Sequence, residues 1–209
     1  MRFLSLFSGI GGFDLALERE GHECIGQVEI DPFCTRVLAR YWPAVPRWRD
    51  VRSFSLESYQ ELCARWDGRR TLSGEQHRRC ATHGSWQQSP IAVDLLCGGF
   101  PCQDLSIAGK RAGLKGERSG LFWEIVRIAK EIRPTWGLFE NVPGLLSSNG
   151  GRDMWTVLTG LRECWPVVGY RIFDSQFFGV PQRRRRIFFV CGPSAERVSQ
   201  VLFELDRGG

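Results

Sequence analysis

Apolar runs alternate with amphipathic segments from the beginning of the chain. Short apolar runs are typical of buried strands, and apolar residues repeated every three or four positions are typical of helices. The first four predicted elements are a strand, a helix, a strand and a helix, at residues 2–7, 13–20, 24–30 and 31–42. Asp31 can cap the last of these helices, with Pro32 at its first position, where a missing N–H costs nothing.

The same alternation returns in the second half of the chain. Strands are predicted at 92–97, 135–140, 167–173 and 186–191, and helices at 119–132, 153–164 and 194–205. Strands separated by helices predict an α/β protein with a doubly wound, mostly parallel sheet. Ligands of such sheets bind at the carboxyl ends of the strands, so functional residues are expected there.

The segment 53–90 interrupts this alternation. It is rich in Arg, Gln, Ser, Gly and His and has little periodic apolar content, so we expect a partly helical insertion on the surface. His77, Cys80 and His83 are closely spaced, but their spacing matches no common zinc signature, and no metal site is predicted. With this insertion, the 209 residues are expected to form a single domain.

Positive charge is modest in total but concentrated in a few places. The formal net charge is +5, and arginines cluster at 69–70, 78–79 and 183–186, which suits a polyanionic partner. The 8 cysteines are scattered among apolar runs and do not indicate a disulfide framework. No signal peptide and no apolar run of membrane-spanning length is evident, so we expect a protein of the reducing cytoplasm.

A glycine-rich turn at residues 7–13 lies between the first predicted strand and the first predicted helix. Glycines at this position let the backbone and a helix N-terminus approach a ligand. Carboxylates end the next two strands at Glu29 and Asp50, where they can accept hydrogen bonds from a ribose or an adenine. These features fit either a dinucleotide or S-adenosylmethionine, but the dinucleotide glycine spacing is not met.

The strongest chemical signal is the loop 98–106, which places Cys102 directly after Pro101 and a buried strand. Loops at strand ends carry chemistry, and the adjacent glycines leave this thiol accessible. Glu140 follows another apolar strand, so its carboxyl group is expected at the same edge of the sheet. Arg184 and Arg186 enter the last strand and are expected to share one face of it.

Four segments, at residues 7–13, 99–103, 140–142 and 182–186, closely resemble the ordered motifs of the DNA cytosine C5 methyltransferases. The resemblance implies the Rossmann-like methyltransferase fold and S-adenosylmethionine as cofactor. The residues that it places around the cofactor are Phe7, Gly9, Gly11, Gly12, Glu29, Ile30, Asp50, Val51, Gly99 and Leu121. One departure is Ser5, because the family usually has an aspartate there.

The same resemblance implies a mechanism on double-stranded DNA. Cys102 would attack C6 of a cytosine flipped out of the duplex, which is necessary because base stacking hides that atom. Glu140 would hold or protonate N3, while Arg184 and Arg186 would support the ring oxygen and the glutamate. The residues assigned to nucleic-acid contact lie in a glycine-rich basic loop: Gln103, Ser106, Lys110 and Arg111.

Several alternatives stay open at this level. Full-length members of the family continue into a target-recognition region that this sequence lacks, so we expect a partial enzyme that a second polypeptide could complete. A truncated gene product, a minimal phage-like enzyme, a non-catalytic binding subunit and an RNA cytosine methyltransferase are also compatible with the motifs. Restriction–modification and phage self-protection fit equally well. A nicotinamide oxidoreductase leaves the cysteine loop and the arginine run unexplained.

Overall fold

The computed structural model describes residues 1–67, 92–101 and 120–203. The strands are β1 (Arg2–Leu6), β2 (Glu23–Val28), β3 (Arg47–Trp48), β4 (Leu95–Gly99), β5 (Trp136–Asn141), β6 (Val167–Asp174) and β7 (Arg185–Gly192). The α-helices are α1 (Gly12–Arg19), α2 (Pro32–Tyr41), α3 (Leu56–Asp67), α4 (Leu121–Ile132), α5 (Arg152–Arg162) and α6 (Ala195–Leu202). Short 3₁₀ helices lie at Val51–Ser53, Pro143–Leu146, Ser148–Gly151 and Ser175–Phe178.

The strands form one seven-stranded sheet in the order β3-β2-β1-β4-β5-β7-β6. The first five strands are mutually parallel, whereas β7 runs antiparallel to both of its neighbours. The predicted α/β class with a mostly parallel sheet is therefore confirmed. The carboxyl ends of β1, β2, β4 and β5 meet at one edge, and this edge also receives the beginning of β7.

The main core lies on one face of the sheet. Leu6, Leu96, Phe139 and Phe189 are fully buried there against helices that include α4. Burying a side chain of this size contributes about 1.5–3 kcal/mol, so this face dominates the stability of the fold. The opposite face carries a smaller cluster around Phe3, against which the apolar side of α1 packs.

Helix α2 begins as its sequence predicts. The Asp31 carboxylate accepts a hydrogen bond from the Cys34 amide at 2.8 Å, and Pro32 occupies the first helical position. This bond satisfies one of the amides that have no partner within the helix. Among the described residues, no helix combines the length and the apolar character that crossing a membrane requires.

The beginning of the predicted surface insertion is part of the core, which corrects that expectation. Phe54 and Tyr59 are only 1% exposed, and their rings pack with Trp48 at centroid distances of 5.0 and 6.1 Å. Two aromatic residues in a polar segment give no periodic signal, yet they anchor α3 to the sheet because each buries a large apolar area. Residues 68–90 of the predicted insertion, including His77, Cys80 and His83, lie outside the described residues.

Candidate active site

The glycine turn connects β1 to α1 in a conformation that favours glycine. Gly9 and Gly11 have φ values of +55° and +90°, a region that other residues adopt only at a cost. A Cβ at Gly11 would lie 2.5 Å from the Trp42 ring, so no side chain fits there without movement. A Cβ at Gly12, the first residue of α1, would meet no atom within 4 Å.

Glu29 lies just beyond β2, where both of its carboxylate oxygens accept backbone hydrogen bonds. Oε2 accepts from the Gly9 amide at 2.7 Å, and Oε1 accepts from the Asp31 amide at 2.7 Å. These bonds tie the glycine turn to the next strand end and fix the orientation of the carboxylate. Ile30 follows with 59% of its surface exposed, so an apolar side chain stands beside the fixed carboxylate.

Asp50 and Val51 follow the short strand β3, but only one of them presents its side chain. The Asp50 carboxylate pairs with Arg52 at 2.8 Å, and this hydrogen bond lowers the pKa of Asp50. The Val51 side chain is buried in the main core. Any ligand at this strand end would therefore meet the Asp50 carboxylate and the main chain of Val51, not the valine side chain.

A buried polar network lies beneath the glycine turn, and its central residue is one that the sequence pattern does not single out. Asp14 is completely buried, and it accepts hydrogen bonds from Ser5 at 3.0 Å, from Gln27 at 2.8 Å and from the Cys24 thiol at 3.3 Å. The Gln27 amide oxygen in turn accepts from Arg47 at 2.8 Å. One carboxylate thus connects α1 to strands β1 and β2, and through Gln27 to β3.

The carboxylate of Glu140 and the guanidinium of Arg186 form an ion pair with 2.5 Å between Oε1 and Nε. Glu140 pairs in register with Phe188, so Arg186 lies diagonally opposite on the same face of the sheet. About a quarter of each side chain is exposed, which leaves the pair accessible from the strand ends. This is the one ion pair among the described residues that joins two predicted catalytic residues.

Gly99 is the neighbour of Glu140 in the register of β4 and β5. A Cβ at Gly99 would lie 2.7 Å from Oε2 of Glu140, so the carboxylate occupies the space that a side chain would take. Cys102 lies three residues after Gly99 in the sequence. Three residues of fully extended chain span at most about 11 Å, so the Cys102 backbone is no farther than that from Gly99.

Asn141 holds the segment that follows β4, and this residue is also absent from the sequence-based site. Its side-chain amide donates a hydrogen bond to the Phe100 carbonyl at 3.0 Å, and it is 3% exposed. Its oxygen accepts from the Val142 amide at 2.8 Å. The sequence does show an asparagine directly after Glu140. It does not show that this asparagine bonds to Phe100, because the two residues are 41 positions apart.

The remaining predicted site residues do not lie together in the described part of the structure. The Arg184 side chain is exposed, and its backbone amide donates to Asp174 at 3.1 Å. Arg184 therefore does not join the Glu140–Arg186 pair within the described structure. Leu121 is the first residue of α4 and packs against the main core. Cys102, Gln103, Ser106, Lys110 and Arg111 lie outside the described residues.

The ends of β1 and β2 carry groups that suit an adenine nucleoside. A carboxylate fixed by two amides, as at Glu29, retains lone pairs for ribose hydroxyls. The exposed Ile30 offers an apolar surface for a base, and the glycine turn leaves room at Gly12. The donor set around β1, β2 and β3 is thus compatible with S-adenosylmethionine.

Comparison with known families gives one match over nearly the whole chain. Residues 1–64 and 75–203 match the family described as C-5 cytosine-specific DNA methylase. The type II methyltransferase M2.BsuMI of Bacillus subtilis (strain 168) is 33% identical over 211 residues, which cover 99% of this chain and 46% of that protein. M.AquIA of Picosynechococcus is 29% identical over 198 residues, which cover 90% of this chain and 71% of that protein.

Solved structures agree on the fold. The S. pombe Dnmt2 methyltransferase superposes with a TM-score of 0.64 at 18% identity, covering all of this chain and 56% of that one. This likeness concerns the fold alone. The chain spans about half the length of most curated relatives that it matches.

Proposed function

This chain belongs to the C-5 cytosine-specific DNA methylase family, and on that premise we propose that it catalyses transfer of a methyl group from S-adenosylmethionine to C5 of cytosine in DNA. The observation that carries the proposal is the Glu140–Arg186 ion pair beside Gly99, three residues before Cys102. The pair puts an acid and a fixed cation at one edge of the sheet, and the sequence puts Cys102 three residues after Gly99.

The cofactor would be held where β1, β2 and β3 end. Glu29 would accept hydrogen bonds from the ribose hydroxyls, Ile30 would pack on the adenine, and Asp50 with the Val51 main chain would contact its edge. The glycine turn and Gly99 would border the methionine end, with Phe7 and Leu121 beside it. S-adenosylmethionine, when bound, supplies a methyl group carried on a cationic sulfur.

The remaining chemistry would belong to this chain and to the cytosine. The Cys102 thiolate attacks C6 of an extruded cytosine, and a new S–C6 bond forms. Glu140 supplies a proton at N3, so that negative charge does not accumulate on the ring, and C5 becomes the nucleophile that takes the methyl group. Transfer of the methyl group would leave a neutral thioether as the second product. Water takes the C5 proton, the Cys102 thiolate is eliminated from C6, and the N3 proton returns to the Glu140 carboxylate, which releases the methylated base.

Arg186 would contact both Glu140 and the cytosine. Its Nε already binds one oxygen of Glu140, which fixes the carboxyl group in the orientation needed to reach a base. Its remaining N–H groups can donate to the cytosine ring oxygen as charge develops there. Arg184, which is exposed one residue before β7, would contact the DNA backbone or close on the pair once DNA is bound.

Target recognition would come from a further polypeptide segment, either on the same chain or on a separate one. On the α1 side of the sheet, Leu138 and Phe188 lie on central strands and are only partly buried, which supports an additional segment packing there. M.AquIA, covered over 71% of its length, is a relative less than twice as long as this chain. We propose that a second polypeptide can supply this segment.

The setting of the reaction would be a reducing cytoplasm, since the described cysteines Cys24, Cys34, Cys97, Cys164 and Cys191 are all free thiols. Because relatives are named type II methyltransferases, we propose a role in restriction–modification. The test must distinguish this proposal from two alternatives. The first is an enzyme that acts on RNA, and the second is a binding subunit without catalytic activity.

The test measures transfer of tritiated methyl groups from S-adenosylmethionine to mixed-sequence duplex DNA, with transfer RNA as a parallel substrate. Incorporation into DNA that is lost in Cys102→Ala supports the proposal, and Glu140→Gln should lower the rate by about 10²- to 10⁴-fold. Label in RNA alone would reassign the substrate. If the chain alone transfers no label, it is incubated with S-adenosylmethionine and duplex DNA that contains 5-fluorocytosine, and failure to form a covalent Cys102 adduct then rejects catalysis by this chain.

A further inference from the structure

A cleft of about 870 Å³ opens beside the hairpin that joins β6 to β7, at the edge of the sheet that receives the beginning of β7. Arginine and phenylalanine side chains dominate its lining, with the end of α6 on one side. The residues that define this hairpin cleft are Arg171, Phe177, Phe178, Arg183, Arg185 and Leu202. None of the proposed catalytic steps uses it.

The hairpin is held rigidly by its own hydrogen bonds. Asp174 accepts from the Arg184 amide at 3.1 Å and from the Gln176 side chain at 3.2 Å. The Ser175 hydroxyl donates to the Gln182 carbonyl at 2.5 Å. A surface that is already ordered loses little conformational entropy on binding, so this loop is suited to contact a partner.

The rigid hairpin displays two large apolar side chains to solvent. Phe177 is 78% exposed and Phe178 is 64% exposed. The Phe178 ring packs edge-on against Phe173 at 5.7 Å, which fixes its position without covering it. Exposed aromatic residues in a fixed loop mark binding surfaces, because burying them in a complex is favourable and leaving them in water is not.

The charge of the cleft identifies the chemistry of its partner. Arg183 and Arg185 are exposed, and neither forms an ion pair within the described part of the chain. The one carboxylate in the lining, Asp174, is already engaged with the amides of its own loop. Unpaired arginines beside exposed aromatic rings match a nucleic-acid strand, which offers phosphates and flat apolar surfaces side by side.

The hairpin cleft lies at the same edge of the sheet as the candidate active site, because β5 and β6 both run antiparallel to β7. Arg185 precedes Arg186 in the chain, and Phe173 pairs with Arg186 across the β6–β7 ladder. Strand β6 lies two strands from β5, or about 10 Å at the usual spacing. That distance corresponds to about three base steps of duplex DNA.

We propose that the hairpin cleft binds the DNA strand about three nucleotides from the target cytosine. Phosphates contact Arg183 and Arg185, while bases or sugars of the same strand pack against Phe177 and Phe178. The inference rests on the proposed function because it takes DNA as the substrate. It adds a second contact surface that acts through affinity and leaves the chemical step to Glu140, Arg186 and Cys102.

The experiment measures binding of the full chain to a fluorescein-labelled mixed-sequence duplex by anisotropy, as a function of salt. The double variant R183A/R185A should reduce the steepness of the plot of log affinity against log salt by about 1.8. Between 50 and 200 mM salt, the variant should therefore lose about tenfold less affinity than the parent chain loses. Phe177→Ser should weaken binding several-fold without changing the slope. The charge-matched control R19A/R40A removes two exposed arginines from the ends of α1 and α2 and should change neither quantity.

The outcomes separate this inference from the proposed function. An unchanged slope in R183A/R185A, or absence of DNA binding by the parent chain, overturns the hairpin cleft as a DNA surface. Cys102→Ala should lose methyl transfer and keep the parent salt slope. Absence of methyl transfer by the parent chain, with a slope that still falls in R183A/R185A, counts against the proposed function alone.

Discussion

The side-chain amide of Asn141 donates a hydrogen bond to the carbonyl oxygen of Phe100 at 3.0 Å. The bond joins the end of β5 to the segment that leaves β4, two residues before Cys102. Both groups are buried, so the bond is not in competition with water. It fixes the direction in which the chain departs toward Cys102, while Glu140, the residue before Asn141, faces Arg186.

Replacing Asn141 with aspartate should impair catalysis more than cofactor binding. A carboxylate cannot donate to the Phe100 carbonyl, and two acceptors would then face each other in a buried site. A shift of about 1 Å in the cysteine segment can cost up to about 100-fold in kcat. We expect a loss of about 10- to 100-fold in kcat, with the Kd for S-adenosylmethionine within about twofold of the parent value.

The matched control is Asn149→Asp, an identical chemical change at an exposed position. Single-turnover methyl transfer and calorimetric titration with S-adenosylmethionine measure the two quantities. Equal losses in both variants, or a loss confined to cofactor affinity, would contradict the role assigned to Asn141.

Gly99→Ala should disturb the ion pair without unfolding the protein. The added Cβ would lie 2.7 Å from Oε2 of Glu140, and the end of this flexible side chain can move aside. The 2.5 Å contact between Nε of Arg186 and Oε1 of Glu140 would then be disturbed. We expect kcat to fall at least about tenfold, while the melting temperature changes by no more than a few degrees.

Gly144→Ala provides the comparison, because the nearest atom to its Cβ is a Val142 methyl at 4.0 Å. It should retain parent activity and stability. A Gly99→Ala protein with full activity would mean that Glu140 does not need its present position.

Local signals in the sequence account for much of the fold. The Asp31–Pro32 pair predicts the start of α2 because capping depends on adjacent residues. Apolar runs predict the central strands because both faces of a parallel sheet are covered. The two-residue strand β3 is too short to produce any pattern of its own, although the carboxylate that follows it is evident in the sequence.

Contacts between distant segments account for what the sequence does not reveal. Asp14 resembles any acidic residue in the first turn of a helix, and only the fold reveals that Ser5 and Gln27 converge on it. Phe54 and Tyr59 appear in a polar segment, but Trp48 draws them into the core. The family resemblance places Val51 near the cofactor, and only the fold reveals that its side chain is buried in the main core. Each of these polar and aromatic contacts joins separate segments of the chain, between 6 and 13 positions apart, so a pattern within one element does not reveal it.

Asp14→Ala should be strongly destabilising. It removes the common acceptor of Ser5 and Gln27, and each buried donor left unsatisfied costs about 1–3 kcal/mol. Because Ser5 and Asp14 flank the glycine turn, cofactor affinity should fall as well. Asp14→Asn retains one acceptor oxygen and should lose less stability.

Denaturant unfolding and calorimetric titration with S-adenosylmethionine measure both effects. Asp153→Ala is the control, since that buried carboxylate accepts a hydrogen bond from Ser148 and lies away from the turn. It should lower stability while leaving cofactor affinity near the parent value. If Asp14→Ala binds S-adenosylmethionine as tightly as the parent chain at temperatures where it remains folded, then the Asp14 network does not support the cofactor site.

Reactivity of the cysteines should distinguish Cys102 from the structural thiols. Burial raises the pKa of Cys164 to about 11 and holds the pKa values of Cys24 and Cys191 well above their usual range. A raised pKa keeps a thiol neutral as pH rises, so at about pH 8 only about one in a thousand Cys164 side chains is a thiolate. Since thiolates are the species that alkylate, iodoacetamide should leave these three unmodified in the folded protein at that pH.

Cys102 should react under the same conditions, because the proposed attack on cytosine requires an accessible thiolate. Peptide mass spectrometry after a short exposure gives the modified fraction at each site, and the same treatment in denaturant should modify every cysteine. Raising the pH toward 11 should bring in Cys164 before Cys24 or Cys191, since its pKa is raised least. Prior incubation with duplex DNA and S-adenosylmethionine should slow alkylation of Cys102 and leave the others unchanged. Protection at Cys164 instead, or equal reactivity of Cys102 and Cys24 in the folded protein, would remove the basis for assigning the nucleophile to Cys102.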